Sequence, residues 1–302
     1  MGTDLGVMER FRRIVDISSR GGKVPPIYLY IVFVLPGIVY SISKTGIFNY
    51  IPLISVAVII TPLIAATNLF DDYFDYRRGI DKIDSPNTTY RHHPIFYYGV
   101  STEYLLRWAS ILSAIYVGLS LIISIRYGWT LIFVALTGML LGYGYTGWPI
   151  GYKYRGLGEL GVLISTIAAS EFISLAAIGH FYVSSILYFV PFSIIIALLL
   201  FIGNYRDLES DRKSGLITLA VRLGKRNSEI FSVVLFTVFY ASVIILFLFG
   251  IYGQYSLVNL LTAPLAFFLS IRLFTKESSK LERYAGPYLF GILLLLLLLI
   301  AL

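Results

Sequence analysis

The sequence predicts an all-α membrane protein, and three observations lead to that prediction. The chain has 302 residues, of which 57% are hydrophobic, and its mean hydropathy is +0.79. Only 14% of the residues are charged, whereas soluble domains carry about 25%. The apolar residues are also gathered into runs that are long enough to cross about 30 Å of hydrocarbon. Cysteine is absent, which excludes disulfide and zinc-thiolate chemistry.

The apolar runs predict nine transmembrane helices in order along the chain. Pro25 and Pro26 open the first run, and Gly128 and Gly179 mark short turns between later ones. The last run becomes almost pure leucine and isoleucine from Ile292 onward. The predicted spans are residues 26–43, 50–70, 103–125, 129–146, 158–178, 184–205, 229–250, 256–273 and 286–302.

Two regions follow from this pattern. Residues 26–302 form a single nine-helix transmembrane domain. Residues 1–25 form an N-terminal interfacial segment, because residues 4–20 alternate apolar and basic side chains at roughly helical spacing. That pattern is typical of a helix lying on anionic headgroups, so we expect contact with membrane lipid.

Lysine and arginine predict the orientation of the chain in the membrane. Of 24 such residues, Lys44 and Arg126 fall opposite the N-terminus and Arg107 lies near the start of the third span, while the other 21 share the N-terminal side. The positive-inside rule then places the N-terminus in the cytoplasm and the C-terminus outside. Because cytoplasmic loops account for the net charge of +7, we expect no nucleic-acid partner.

The first acidic cluster follows the second predicted span. On a helix, Asn68, Asp72 and Asp75 are related by i, i+4 and i+7 and share one face. Asp71 lies one residue round from that face, although it stacks with Asp75 one turn later. Carboxylates at the end of a membrane helix mark function by default, because they are costly to place there.

The second acidic cluster follows the sixth predicted span. Asp207 and Asp211 are four residues apart, and Arg206, Arg212 and Lys213 lie beside them. The two clusters have similar patterns and lie 135–136 residues apart, which indicates two related halves that each contribute a helix end. Both fall on the cytoplasmic side, so we expect the nine helices to surround a central cavity open to that side.

Carboxylates gathered in this way repel one another unless a cation neutralises them. Hard oxygen ligands predict Mg²⁺, which usually binds through a few carboxylates together with substrate phosphate oxygens. Two Mg²⁺ ions, one on each cluster and bridged by a diphosphate, would neutralise the carboxylates of both clusters. The alternative is a pair of solvated helix ends with surface salt bridges to neighbouring arginines and lysines.

Three stretches resemble the UbiA superfamily of intramembrane aromatic prenyltransferases, and its 1,4-dihydroxy-2-naphthoate (menaquinone) branch in particular. They are residues 68–81, 145–159 and 204–224, and the likeness covers essentially the whole chain. The resemblance implies transfer of a prenyl group from a prenyl diphosphate to an aromatic acceptor in quinone biosynthesis. It also implies catalytic roles for four carboxylates, Asp72, Asp75, Asp207 and Asp211.

The same resemblance assigns the remaining site residues. The metal ligands it implies are Asn68, Asp71, Asp72, Asp75, Asp207 and Asp211. Lys153 is the first candidate for a diphosphate contact, and Arg206, Arg212 and Lys213 are further ones. Tyr143 and Tyr145 are candidates to shelter the allylic cation with their ring faces.

Two other functions stay open at this point. A glycerol phosphate acceptor, such as geranylgeranylglyceryl phosphate in ether-lipid synthesis, would suit the basic loops, and 4-hydroxybenzoate is a third acceptor. A divalent-cation transporter would need ligands across the bilayer, but the outer half offers the isolated Glu171. His92 and His93 are expected to be a solvated pair in a loop.

Overall fold

The computed structural model describes residues 15–17, 26–46, 50–85, 88, 92–273 and 278–301. Within these residues every regular element is helical, so the predicted all-α class is confirmed. The α-helices are α1 (Pro26–Thr45), α2 (Tyr50–Arg77), α3 (Pro94–Tyr98), α4 (Thr102–Tyr127), α5 (Thr130–Thr146), α6 (Gly158–Ile178), α7 (Val183–Arg206), α8 (Leu208–Ser214), α9 (Leu219–Leu248), α10 (Ala263–Leu273) and α11 (Ser278–Ala301). Two 3₁₀ segments, Tyr152–Arg155 and Gln254–Thr262, precede α6 and α10. Most of the predicted interfacial segment lies outside the described residues.

Five of the described helices are long and apolar enough to cross a membrane, namely α2 from Ile54 onward, α4, α6, α7 and α9. The chain is therefore an integral membrane protein. Helix α5 and residues 287–300 of α11 are apolar but shorter. The eighth predicted span differs from the expectation, because Gln254–Thr262 is 3₁₀ and only Ala263–Leu273 is α-helical. The count of nine spans stays a prediction.

Local chemistry explains where several helices begin and end. The Ser101 side chain caps α4 by accepting from the Tyr104 amide at 3.2 Å, and Thr218 caps α9 in the same way. Gly179 ends α6 in the left-handed conformation, with a φ of 78°. Helix α9 begins ten residues before the predicted span. It is kinked at Gly224, whose φ is 71° and ψ is 174°.

The helices form two groups that pack against each other through α6 and α7. Helices α2, α4, α5 and α6 contact one another, while α7, α9 and α11 share the largest buried cluster. Helix α1 approaches α6 closely enough that a Cβ on Gly37 would lie 2.4 Å from the Ser170 carbonyl oxygen. Only glycine permits that approach, which holds α1 against the helix that lines the site.

Candidate active site

The first acidic cluster lies at the end of α2, and the chain that follows the helix turns back toward the protein. After Arg77, the chain passes through Gly79 in the left-handed conformation, with a φ of 70°. The Ile80 amide then donates to the Asp75 carbonyl at 2.9 Å. This turn brings Asp81 back beside the helix, where its side chain is 1% exposed.

Lys153 joins two carboxylates of this cluster. Its Nζ donates to Asp71 Oδ1 at 2.7 Å and to Asp75 Oδ2 at 2.5 Å. All three side chains are at most 10% exposed, so the attraction is little screened by water. The other Asp75 oxygen, Oδ1, accepts from the Tyr154 hydroxyl at 2.8 Å. Both oxygens of Asp75 are therefore held in place.

A short 3₁₀ segment places Lys153 and Tyr154 next to α2. The segment Tyr152–Arg155 lies between Gly151 and Gly156, which have φ values of 47° and 65°. A Cβ on Gly156 would lie 2.8 Å from Arg222 Cδ, so glycine also suits the crowding there. Burial and the nearby Asp75 carboxylate raise the pKa of Tyr154, which keeps its hydroxyl protonated as a donor.

The carboxylates of the first cluster have two different sets of neighbours in the structure. Asp71 and Asp75 share Lys153, whereas Asp72 is fully buried and lies with Asp81 and His93, their ligand atoms within 4.8 Å of one another. Asp72 follows Asp71 by one residue and is rotated about 100° around the helix, so the two point to different neighbours. The sharing of Lys153 by Asp71 and Asp75 agrees with the expected stacking of these two residues one turn apart. The metal-binding role of the face formed by Asn68, Asp72 and Asp75 stays a prediction.

His93 is a structural member of the site that the sequence interpretation placed in solvent. It is fully buried, and its Nδ1 accepts from the Ile95 amide at 3.2 Å, which caps α3. Because Nδ1 accepts, the proton lies on Nε2, which donates to Asp81 Oδ2 at 3.2 Å. Pro94 at the first position of α3 was the available signal, since the residue before it is the cap.

The second acidic cluster lies where α7 passes into α8. Arg206 holds Asp207 through Nε and Nη2, at 2.9 and 2.6 Å. Asp211 is buried in the first turn of α8. Burial, and next the nearby Asp207 carboxylate, raise the pKa of Asp211 to about 7. A cation bound beside this carboxyl would lower its pKa and favour loss of the proton to solvent.

The two clusters meet. Asp81, which lies beside Asp72 of the first cluster, lines one small pocket together with Asp207 and Asp211 of the second. The pocket has a volume of about 10 Å³, close to the size of a water molecule. Ile80 and three serines complete the lining, namely Ser85, Ser210 and Ser214. Asp75 and Lys153 also lie near enough to Asp211 to affect its pKa. Carboxylates separated by well over one hundred residues therefore share one region.

An apolar cavity of about 330 Å³ lies within the bundle. Asn68, one turn before Asp71 and Asp72, lies at its polar end with Tyr145 and Tyr152. The Tyr145 ring centroid is 5.5 Å from Lys153 Nζ. Its apolar lining includes Phe33, Ile60, Leu63, Ile64, Tyr116, Val134, Val162, Ala168, Ala169, Phe172 and Leu200. The cavity therefore begins beside the Lys153 ion pairs.

Other predicted substrate residues lie elsewhere. Tyr143 packs against Phe70, with ring centroids 5.2 Å apart, and its hydroxyl donates to the Trp148 carbonyl, so it does not line the cavity. Arg212 and Lys213 are exposed to solvent. Arg206 is exposed and pairs with Asp207. Among the predicted cations, Lys153 is the one that the structure sets at the cavity mouth.

Comparison with known proteins identifies the family. The sequence profile of the UbiA prenyltransferase family matches residues 30–301. The chain therefore belongs to the UbiA prenyltransferase family, which confirms the predicted family.

Named relatives are found in bacteria and animals. The 1,4-dihydroxy-2-naphthoate octaprenyltransferase of Bacillus subtilis (strain 168) is 31% identical over 203 residues, which cover 66% of this chain and 63% of that protein. The match thus spans less than two thirds of the Bacillus protein. UbiA prenyltransferase domain-containing protein 1 of Gallus gallus is 30% identical over 258 residues, which cover 80% of this chain and 74% of the relative.

Solved structures share the fold. A structure concerned with digeranylgeranylglyceryl phosphate synthase in membranes has a TM-score of 0.69 at 19% identity, covering 97% of this chain and 98% of that one. A UbiA homologue from Archaeoglobus fulgidus bound to GPP and Mg²⁺ has a TM-score of 0.64 at 11% identity, covering 96% and 100%. At these identities the likeness establishes a UbiA-type fold.

Proposed function

We propose that this chain transfers a prenyl group from a prenyl diphosphate to an aromatic acceptor resembling 1,4-dihydroxy-2-naphthoate, with Mg²⁺ as its cofactor. The observation that carries the proposal is the cavity mouth, where the Lys153 ammonium lies between the Asp71 and Asp75 carboxylates. Acidic oxygens and a cation suit a diphosphate with its metal ions, and the apolar interior suits an isoprenoid tail.

The residues at the mouth fit Mg²⁺. Their donors are carboxylate and amide oxygens, the hard ligands that this ion prefers. The candidates for holding two ions are Asn68, Asp71, Asp72 and Asp75 in the first cluster and Asp207 and Asp211 in the second. When bound, the ions neutralise the charge that develops on the departing diphosphate.

The protein's side chains bind the diphosphate, stabilise the allylic cation and exclude water. Lys153 donates to the diphosphate oxygens, and its charge favours cleavage of the allylic carbon–oxygen bond. The Tyr145 ring faces the allylic carbon and stabilises positive charge there. The allylic carbon–oxygen bond breaks, and diphosphate leaves with the electron pair. A ring carbon of the acceptor then forms the new carbon–carbon bond to the allylic carbon, and that ring carbon loses its proton, or its carboxyl group as carbon dioxide, so that the ring becomes aromatic again. The apolar cavity lining excludes water, which would otherwise capture the cation.

The acceptor is proposed from the relatives. The Bacillus protein named for 1,4-dihydroxy-2-naphthoate is 31% identical to this chain and supports a quinone-type acceptor. A glycerol phosphate acceptor, used in ether-lipid synthesis, is the alternative, and its support is a structural likeness at 19% identity. The closer sequence relationship favours the aromatic acceptor.

We also propose the arrangement in the membrane. Residues 26–302 form one domain of nine spans, and residues 1–25 lie at the membrane surface. The N-terminus and the cavity mouth face the cytoplasm, and the C-terminus faces outside, as the lysine and arginine distribution supports.

The test is a prenyl-transfer assay on the purified chain. It supplies Mg²⁺, a prenyl diphosphate and, in separate reactions, a dihydroxynaphthoate, a 4-hydroxybenzoate or a glycerol phosphate acceptor, and reads product mass. We expect the naphthoate product, and we expect EDTA, Asp75→Asn or Asp207→Asn to abolish it. Glu209→Gln is the matched control, because Glu209 is 55% exposed on α8. Mg²⁺ flux through proteoliposomes without any product would instead indicate a transporter.

A further inference from the structure

Residues 15–17, near the N-terminus, pack beside the elements that carry the acidic site. The Ile17 side chain is 3% exposed and belongs to the same buried apolar cluster as Leu69 and Phe70 of α2. Next to it in the chain, Asp16 Oδ2 accepts a hydrogen bond from the Tyr98 hydroxyl at 2.7 Å. These contacts tie the N-terminal part of the chain to α3, since Tyr98 is the last residue of that helix.

Helix α3 has only five residues, so it depends on contacts with the rest of the protein for its stability. In its middle, the Phe96 ring centroid lies 5.7 Å from that of Tyr76 on α2. At its end, Tyr98 packs partly buried against the apolar cluster at the N-terminal residues. The hydrogen bond to Asp16 therefore holds the end of the helix that is farther from His93.

The beginning of α3 leads to the carboxylates of the site. His93 caps the helix through Nδ1, and its Nε2 donates to Asp81 Oδ2 at 3.2 Å. Asp81 lines the small pocket together with Asp207 and Asp211. A single helical turn thus connects Asp16 at one end with Asp81 at the other.

We propose that Asp16 is a positioning residue for the acidic site. Through Tyr98 it fixes α3, and α3 in turn fixes Asp81 through His93. The inference rests on the proposed Mg²⁺-dependent prenyl transfer and adds to it a residue of the N-terminal segment. When the hydrogen bond to Asp16 is lost, α3 moves more freely, and Asp81 spends less time in the arrangement that a cation needs.

The experiment measures Mn²⁺ binding to the purified full chain without substrates, using electron paramagnetic resonance of the free ion. Loss of a hydrogen bond to a charged group changes an equilibrium by about tenfold or more. Because part of that effect reaches the site, we expect the dissociation constant to rise about three- to tenfold in Asp16→Ala and in Tyr98→Phe. Asp16→Asn keeps an acceptor oxygen, so its dissociation constant should lie between those of Asp16→Ala and wild type.

Two further readouts show whether the effect passes through α3. The Gly99 amide donates to the Ile95 carbonyl at 3.0 Å and closes the helix. Its hydrogen exchange should be at least about threefold faster in Asp16→Ala and Tyr98→Phe, because the helix end then opens more often. The double variant should bind Mn²⁺ no more weakly than the weaker single variant, since both changes remove the same hydrogen bond.

Tyr240→Phe is the matched control. It also removes a tyrosine hydroxyl, which is hydrogen-bonded to the Thr262 hydroxyl at 2.8 Å. From Leu219 to Tyr240, α9 rises about 30 Å away from its beginning, which packs near α8 and the second acidic cluster. We therefore expect Mn²⁺ binding and Gly99 exchange in this variant to match wild type.

Unchanged Mn²⁺ binding in Asp16→Ala and Tyr98→Phe would overturn the inference, and Tyr98→Phe alone decides the matter if Asp16→Ala does not fold. Equal weakening in Tyr240→Phe would also overturn it, since the effect would then be a general loss of stability. A wild-type chain that binds Mn²⁺ but transfers no prenyl group would count against the proposed function and leave this inference standing. A wild-type chain that binds no Mn²⁺ would contradict both.

Discussion

Replacing Lys153 with methionine tests the geometry of the cavity mouth. The substitution keeps a long apolar side chain but removes the ammonium that lies 2.7 Å from Asp71 Oδ1 and 2.5 Å from Asp75 Oδ2. Those carboxylates are only 5% and 1% exposed, so water replaces the lost charge poorly. The variant therefore leaves two buried carboxylates close together without that neutralising partner.

The magnitude follows from this burial. Removing one partner of a buried ion pair destabilises a protein by about 3–5 kcal/mol. At roughly 2 °C per kcal/mol for a chain of this size, the apparent Tm in EDTA should fall by about 6–10 °C. The matched control is Lys225→Met, because Lys225 and Glu209 are 65% and 55% exposed and 3.4 Å apart. An exposed pair contributes only about 0–1 kcal/mol.

The assay is thermal unfolding of the purified proteins in detergent, first with EDTA and then with Mg²⁺. We expect Mg²⁺ to raise the apparent Tm of Lys153→Met more than that of the wild type, because a metal ion then supplies the charge that the lysine supplied. A Lys153→Met protein as stable in EDTA as Lys225→Met would refute the arrangement, since it would mean that the ammonium does not neutralise the two carboxylates.

Three further predictions concern neighbouring groups. Burial raises the pKa of Asp211 to about 7, so the folded, metal-free protein holds a proton that the unfolded chain releases near pH 4. Stability in EDTA should therefore fall as the pH rises from about 4 to 7, and Asp211→Asn should flatten that slope in thermal scans. Tyr154→Phe removes the hydroxyl that donates to Asp75, so its unfolding free energy should fall by about 1.5–3 kcal/mol in the same scans. His93→Asn keeps a capping acceptor but loses the donor that holds Asp81, which lines the same pocket as Asp207 and Asp211. This variant should therefore need more Mg²⁺ for half-maximal transfer, whereas His93→Gln, which keeps a donor at a similar position, should stay near wild type.

The helices could be predicted because long apolar runs leave few alternatives in a membrane. The predicted span of 158–178 coincides with Gly158–Ile178, and that of 129–146 with Thr130–Thr146, to within one residue. The start of α9 was missed because the polar residues 225–229 separate the short apolar stretch 219–223 from the long apolar run, whereas the folded chain forms one helix across both, with a kink at Gly224. Hydropathy likewise does not distinguish the 3₁₀ geometry of Gln254–Thr262 from an α-helix.

The site could be predicted as a region but not as a set of contacts. Acidic residues at two helix ends stand out against an apolar background, so the clusters were recognisable in the sequence. Which carboxylate faces which partner depends on the rotation of α2, and the sequence does not show that Lys153 contacts Asp71 and Asp75. Tyr154 was missed although it adjoins Lys153, because tyrosines are common in this chain and the pairing with Asp75 exists only in the folded structure.

The central claim is that two distant acidic clusters hold one diphosphate through divalent ions at the mouth of an apolar cavity. Electron paramagnetic resonance of Mn²⁺ bound with an unreactive prenyl thiodiphosphate tests it most directly. We expect two Mn²⁺ per chain with coupling to ³¹P, and loss of one ion in Asp75→Asn and of the other in Asp211→Asn. Full occupancy in either variant, or Mn²⁺ without ³¹P coupling, would contradict the claim.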